Sequence, residues 1–125
     1  MIMIDKIKIS NTAQFWSNVS SLMLHFLVIE ANGFGEKVHR EQLRNLARAI
    51  ALKCQHKAPK YKLHIKFNIH DMHAIWQYQQ WIEVDQKIIL RPPYNMYYGE
   101  LMTRMQEEIR NEEEKKSLTQ NIDSI

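Results

Sequence analysis

One cysteine, three glycines and three prolines in 125 residues leave little material for disulfides, glycine-rich loops or proline-rich linkers. The lone Cys54 excludes an intramolecular disulfide framework and fits a reducing compartment. Two of the glycines, Gly33 and Gly35, fall in Asn32-Gly33-Phe34-Gly35, without the preceding strand or the lysine of a phosphate-binding loop. The longest apolar run, Leu22 to Ile29, is interrupted by His25 and is far shorter than the roughly 20 residues of a membrane-spanning helix. Met1 to Lys8 has no basic segment, apolar run or small-residue cleavage site of a secretory signal. These absences predict a cytoplasmic protein with no membrane association. Nothing in the pattern calls for a cofactor, and no internal repeat is present.

What is there suits one globular core. The chain is 45% hydrophobic and 25% charged, ordinary for a folded domain of this length. Residues 1–117 are expected to form a single compact domain, with 118–125 as a fraying tail. Ile4 to Ile9 is isoleucine-rich and a candidate amino-terminal strand. From Asn11, a candidate cap, Phe15, Val19, Leu22, Met23, Phe26 and Leu27 recur at helical spacing. Leu24, Val28 and Ile29 then make the helix apolar nearly all round, which predicts cover on several sides. A second helix is predicted from about Glu36 to about Gln55, with Leu43, Leu46, Ala47, Ile50 and Cys54 in one sector.

At Tyr61 the period changes from 3.6 to 2. Tyr61, Leu63, Ile65, Phe67 and Ile69 alternate with Lys62, His64, Lys66, Asn68 and His70, which predicts a half-buried strand. Ala74, Trp76, Tyr78, Ile82 and Val84 continue an interrupted alternation and suggest a second strand, although Met72, Ile75, Trp76 and Ile82 also fit one helix face. A turn at Asp85-Gln86 into Lys87 to Arg91 would complete an antiparallel meander ended by Pro92-Pro93. A last helix begins near Asn95, with Tyr98, Leu101, Met102, Met105 and Ile109 as its stripe. The expected fold is α+β: two N-terminal helices, a three-stranded antiparallel meander that the amino-terminal strand could extend, and a C-terminal helix.

The positive charge is uneven. Between Glu36 and Lys66 nine Lys or Arg residues stand against two acids, although the whole chain is only +3. Lys37, Arg40, Arg44 and Arg48 form one helical stripe, and Lys62, His64 and Lys66 share the strand face opposite the core. Arginines bind phosphate bidentately and lysines add point charge, so these seven residues are the candidate nucleic-acid-binding set. The same charges also suit ordinary solvated faces and the protection of a sheet edge. On this reading the protein is a non-catalytic binder of nucleic acid, nucleoprotein or another polyanion.

Two other classes stay open. Trp81, Tyr98, Met102 and Met105 are candidate protein-interface residues, which suits a structural or assembly subunit of viral or phage type, acting through a partner or as a homo-oligomer. His64, His70 and His73, with Asp71, could serve acid–base chemistry in a small hydrolase. Cys54-x-His56 and His70-x-x-His73 are residue types that zinc accepts, but a helix end would point Cys54 and His56 apart, so no metal site is assigned.

Overall fold

The computed structural model describes residues 4–30, 37–81, 83 and 89–123. The elements run in the order β1 (Lys6–Thr12), α1 (Ala13–Glu30), α2 (Lys37–Cys54), β2 (Lys62–Asn68), α3 (Ile69–Gln80) and α4 (Tyr94–Asp123). Among the described residues the two strands pair antiparallel and four helices supply the rest of the fold.

Strict alternation explains the sheet. Ile7 and Ile9 of β1 and Ile65 and Phe67 of β2 are buried, while their neighbours Lys6, Lys8, His64 and Lys66 are exposed. Ile7 stands opposite Phe67 and Ile9 opposite Ile65, so the apolar residues meet on one face. Against that face lies Trp16 of α1, fully buried, with Phe67 at 5.8 Å and Phe15 edge-on at 4.9 Å between ring centroids. Its indole Nε1 donates to the Leu63 carbonyl at 3.2 Å, which satisfies the polar tip of an otherwise apolar group. Burying side chains of this size contributes about 1.5–3 kcal/mol each.

Each strand passes straight into a helix. Thr12 ends β1 and its hydroxyl accepts from the Phe15 amide at 3.1 Å, so Thr12 rather than Asn11 caps α1. The next two amides, Ala13 and Gln14, donate to the carbonyls of Tyr61 and Pro59 at 2.7 and 3.0 Å. At the other junction Asn68 accepts from the Asp71 amide at 2.8 Å and Asp71 accepts from the Asn68 amide at 3.0 Å, a reciprocal capping box.

That box overturns the three-stranded meander. A helix is nucleated at Asn68, and Met72, Ile75 and Tyr78, three residues apart, are the buried face of α3. The alternation of Ala74, Trp76 and Tyr78 imitates a strand, but Ala74 and Tyr78 lie four apart on the same helix flank. The predicted turn at Asp85-Gln86 and the start of the third strand lie outside the described residues. Ile89 to Arg91 are not in a strand, and Ile89 is exposed.

The helices close one core. Ser20 of α1 donates to the Ala47 carbonyl of α2 at 3.0 Å, a small-residue contact at the heart of that pair. Phe26 of α1 meets Tyr78 of α3 at 6.3 Å and Tyr98 of α4 at 6.2 Å. α1 is covered less completely than its composition predicts, for Leu24 and Val28 are exposed. α2 ends with His56 in the left-handed region (φ 62°), and Lys57 donates to the Cys54 carbonyl at 3.1 Å. On α4, Leu101 and Met105 are fully buried, and among the described side chains Ile109 is the last hydrophobic one packed on the core. The helix continues from there to Asp123, about 21 Å at 1.5 Å per residue.

Candidate polyanion-binding face

The outer face of the β1–β2 sheet is built from every second residue of two strands that contain no acid. Pairing puts Lys8 directly opposite Lys66, Ser10 opposite His64, Thr12 opposite Lys62 and Lys6 opposite Asn68. The four lysines and His64 are exposed, and none of the lysines has a carboxylate partner among the described residues. Ser10 and His64 are hydrogen-bonded across the strands through Oγ and Nδ1. This bond fixes the imidazole in the middle of the lysine field.

Lys8 against Lys66 is the informative pair. Like charges directly opposite on a sheet are destabilising, by a few tenths to about 1 kcal/mol. The chain keeps such a pair at the centre of its only sheet among the described residues, flanked by two more lysines. An anion lying between the two ammonium groups would turn that repulsion into attraction.

Of the candidate binding residues, the sheet brings together Lys62, His64 and Lys66. Arg44 and Arg48 are exposed on α2 and Arg40 is half-buried there, while the side chain of Lys37 lies outside the described residues. α2 packs chiefly against α1 and α3, and its arginines are not among the residues that the strand pairing places on the sheet face. Sequence reasoning missed Lys6, Lys8 and Ser10. Their signal was present: Lys6-Ile7-Lys8-Ile9-Ser10 alternates as regularly as β2.

The candidate interface residues are engaged within the chain. Met105 is fully buried, Tyr98 and Met102 pack on the core, and Trp81 stands edge-on to Tyr78 at 6.4 Å. Burial and the charge of Glu83 push the Tyr98 phenol well above its ordinary range.

The histidine and cysteine chemistry is not assembled into a centre. Asp71, the expected partner of these histidines, is buried and occupied by the Asn68 amide and by Gln42 Nε2. The Cys54 thiol donates to the Ala13 carbonyl at 3.5 Å, and burial raises its pKa, which suppresses the thiolate. No cluster of three or more His, Cys, Asp and Glu side chains placed to hold a metal occurs among the described residues. Nor is any helix among them long and apolar enough to cross a membrane.

Comparison with protein-family models, curated proteins and solved structures finds no match to this chain.

Proposed function

We propose that the protein is a non-catalytic nucleic-acid-binding module whose contact surface is the outer face of the β1–β2 sheet. The observation that carries this reading is the Lys8–Lys66 cross-strand pair within a face of four lysines and no acid. The seven residues of each strand extend about 23 Å, so no single small anion can reach all four lysines. A polymer with regularly repeated phosphates can. His64, held by Ser10, adds a directed donor between the cations.

The test is a titration with fluorescently labelled single-stranded RNA across a salt series. Four lysine–phosphate contacts to a single strand predict a log–log slope near −3, or about a 50-fold loss of affinity between 50 and 200 mM salt. Binding that ignores salt, or that survives reversal of Lys8 and Lys66, would defeat this reading. A companion change of Arg44 and Arg48 to alanine separates the two basic surfaces, with the smaller effect expected from the arginines.

A second reading rests on a different observation. The stretch of α4 beyond Ile109 leaves the core as a continuous helix that includes exposed Leu118, and such a projecting helix suits assembly with a partner or a second copy. Truncation after Arg110 tests it without disturbing Met105 or Ile109. A strict monomer with no captured partner, unchanged by truncation, would rule it out.

A further inference from the structure

Thr12, which stands opposite Lys62 at one end of the lysine face, also lines a cleft of about 710 Å³ bounded by the end of β1, the first turns of α1 and one side of α4. That volume lies within the usual range of small-ligand pockets. Asn11, Gln14 and Asn18 line one wall and Gly99 and Thr103 the other, with Phe15 behind. Charge in the cleft is unsuited to phosphate. Glu100 brings a carboxylate, and Arg104 is turned to Glu107 and to Glu108, the latter at 3.1 Å. The remaining groups are neutral amides and hydroxyls, which donate and accept in equal measure.

Gly99 gives an independent indication. It lies inside α4, where glycine is about 1 kcal/mol less favourable than alanine. A Cβ added there would meet nothing within 4 Å, so close packing does not require the glycine. Its effect is to leave the cleft wall open.

We infer that this cleft receives an unpaired nucleobase of a strand whose phosphates lie on the lysine face, which makes the protein a single-strand binder. The inference rests on the proposed nucleic-acid reading and adds the strandedness of the ligand. Gln14 Nε2 donates to Asn18 Oδ1 at 3.0 Å, and Asn11 Oδ1 accepts from the Thr12 amide at 2.8 Å. This leaves the Gln14 amide oxygen, the Asn11 and Asn18 amide N–H groups and the Thr103 hydroxyl to pair with the mixed donors and acceptors of a base edge. The strand is directed there because Asn11 and Thr12 belong to β1, and Thr12 stands opposite Lys62. Duplex nucleic acid keeps its bases stacked and paired, and cannot insert one without being opened.

Two probes separate the contributions: a short single-stranded RNA of mixed sequence, and an inorganic polyphosphate of matched charge, each measured by competition against the same labelled RNA. The wild-type protein should prefer RNA by about tenfold. Gly99→Leu, which fills the cleft with a good helix former, should bring RNA affinity down to the polyphosphate level and leave polyphosphate affinity unchanged. Equal affinity of the wild type for both probes, or no selective loss in the variant, overturns the cleft assignment while the lysine face stands. Failure of both probes to bind overturns the face and the cleft together. Should Gly99→Leu fail to fold, the side-chain amide resonances of Gln14 and Asn18 in the wild type decide. Shifts with RNA and none with polyphosphate support the cleft, and identical responses to both overturn it.

Discussion

Two regions of this molecule carry dense charge and treat it in opposite ways. Along α4, seven acids and four bases are interleaved, and Arg104 is bonded to Glu107 and Glu108 one turn on, with Lys115 3.6 Å from Glu112. On the sheet, four lysines are set on one face with no acid between them. The first pattern is charge that stabilises its own helix, worth a few tenths of a kcal/mol per pair. The second opposes its own fold and gains only when an outside anion arrives. The difference separates charge paired within its own helix from charge gathered on one face with no carboxylate partner among the described residues, a distinction that net charge alone, here +3, conceals.

The comparison breaks most visibly under reversal of Lys8 and Lys66 together to glutamate. RNA affinity should fall at least about 100-fold at low salt, measured by anisotropy, with the circular dichroism of the fold unchanged. Reversal of a helical cation outside the cleft, Lys115→Glu, should leave that affinity within about twofold. If both variants lose binding alike, the two regions are not distinct in function.

Stability moves the other way. Lys66→Glu alone turns the repulsive pair with Lys8 into an attractive one, and its thermal midpoint should rise by about 1–4 °C while RNA binding weakens. Arg104→Ala, which removes two ion pairs from α4, should lower the midpoint by about as much. A fall in the midpoint of Lys66→Glu would mean that the lysines are already paired in the folded protein.

A smaller effect is expected at a charge neither region shares. His25 stacks on Tyr94 at 3.8 Å with ring planes 7° apart, and burial holds its pKa below the ordinary histidine value. The folded value lies below the unfolded one, so the neutral ring stabilises the fold fully above the ordinary histidine range. That contribution is lost as pH falls through this range toward the folded value. Urea midpoints at about pH 7.5 and about pH 5 should differ more for the wild type than for His25→Phe. Equal differences would show that other groups set the acid sensitivity.

Legibility followed the periodicities. β2 and α2 could be read because the sequence around them keeps one period for several turns or pleats, and each then buries the face that the period marks. α3 was misread because its residues support two periods at once. What decides between them is a backbone event at one residue, the reciprocal bonding of Asn68 and Asp71, rather than any property of the apolar pattern. The same helical rule that placed the core of α2 put Arg44 and Arg48 on its exposed surface, while Arg40 is half-buried. The lysine face was half legible, since Lys62, His64 and Lys66 follow from one strand, but which strand stands beside them is a long-range fact. Pairing with residues more than fifty positions earlier doubled the lysines on that face. The cleft could not be read at all, because Gly99 and Asn18 belong to different helices and share a wall only after folding.

Both strands enter their following helices without an intervening residue, Thr12 into Ala13 and Asn68 into Ile69. A two-stranded ribbon would ordinarily be free to slide in register. Here a slip of one residue would have to drag a helix axis about 3.3 Å and rotate its buried face away from the core. The spacing of the lysines is therefore geared to the packing of α1 and α3. A strand of RNA pulling along the face would meet the resistance of the whole helical layer, which makes the face a ruler of fixed pitch.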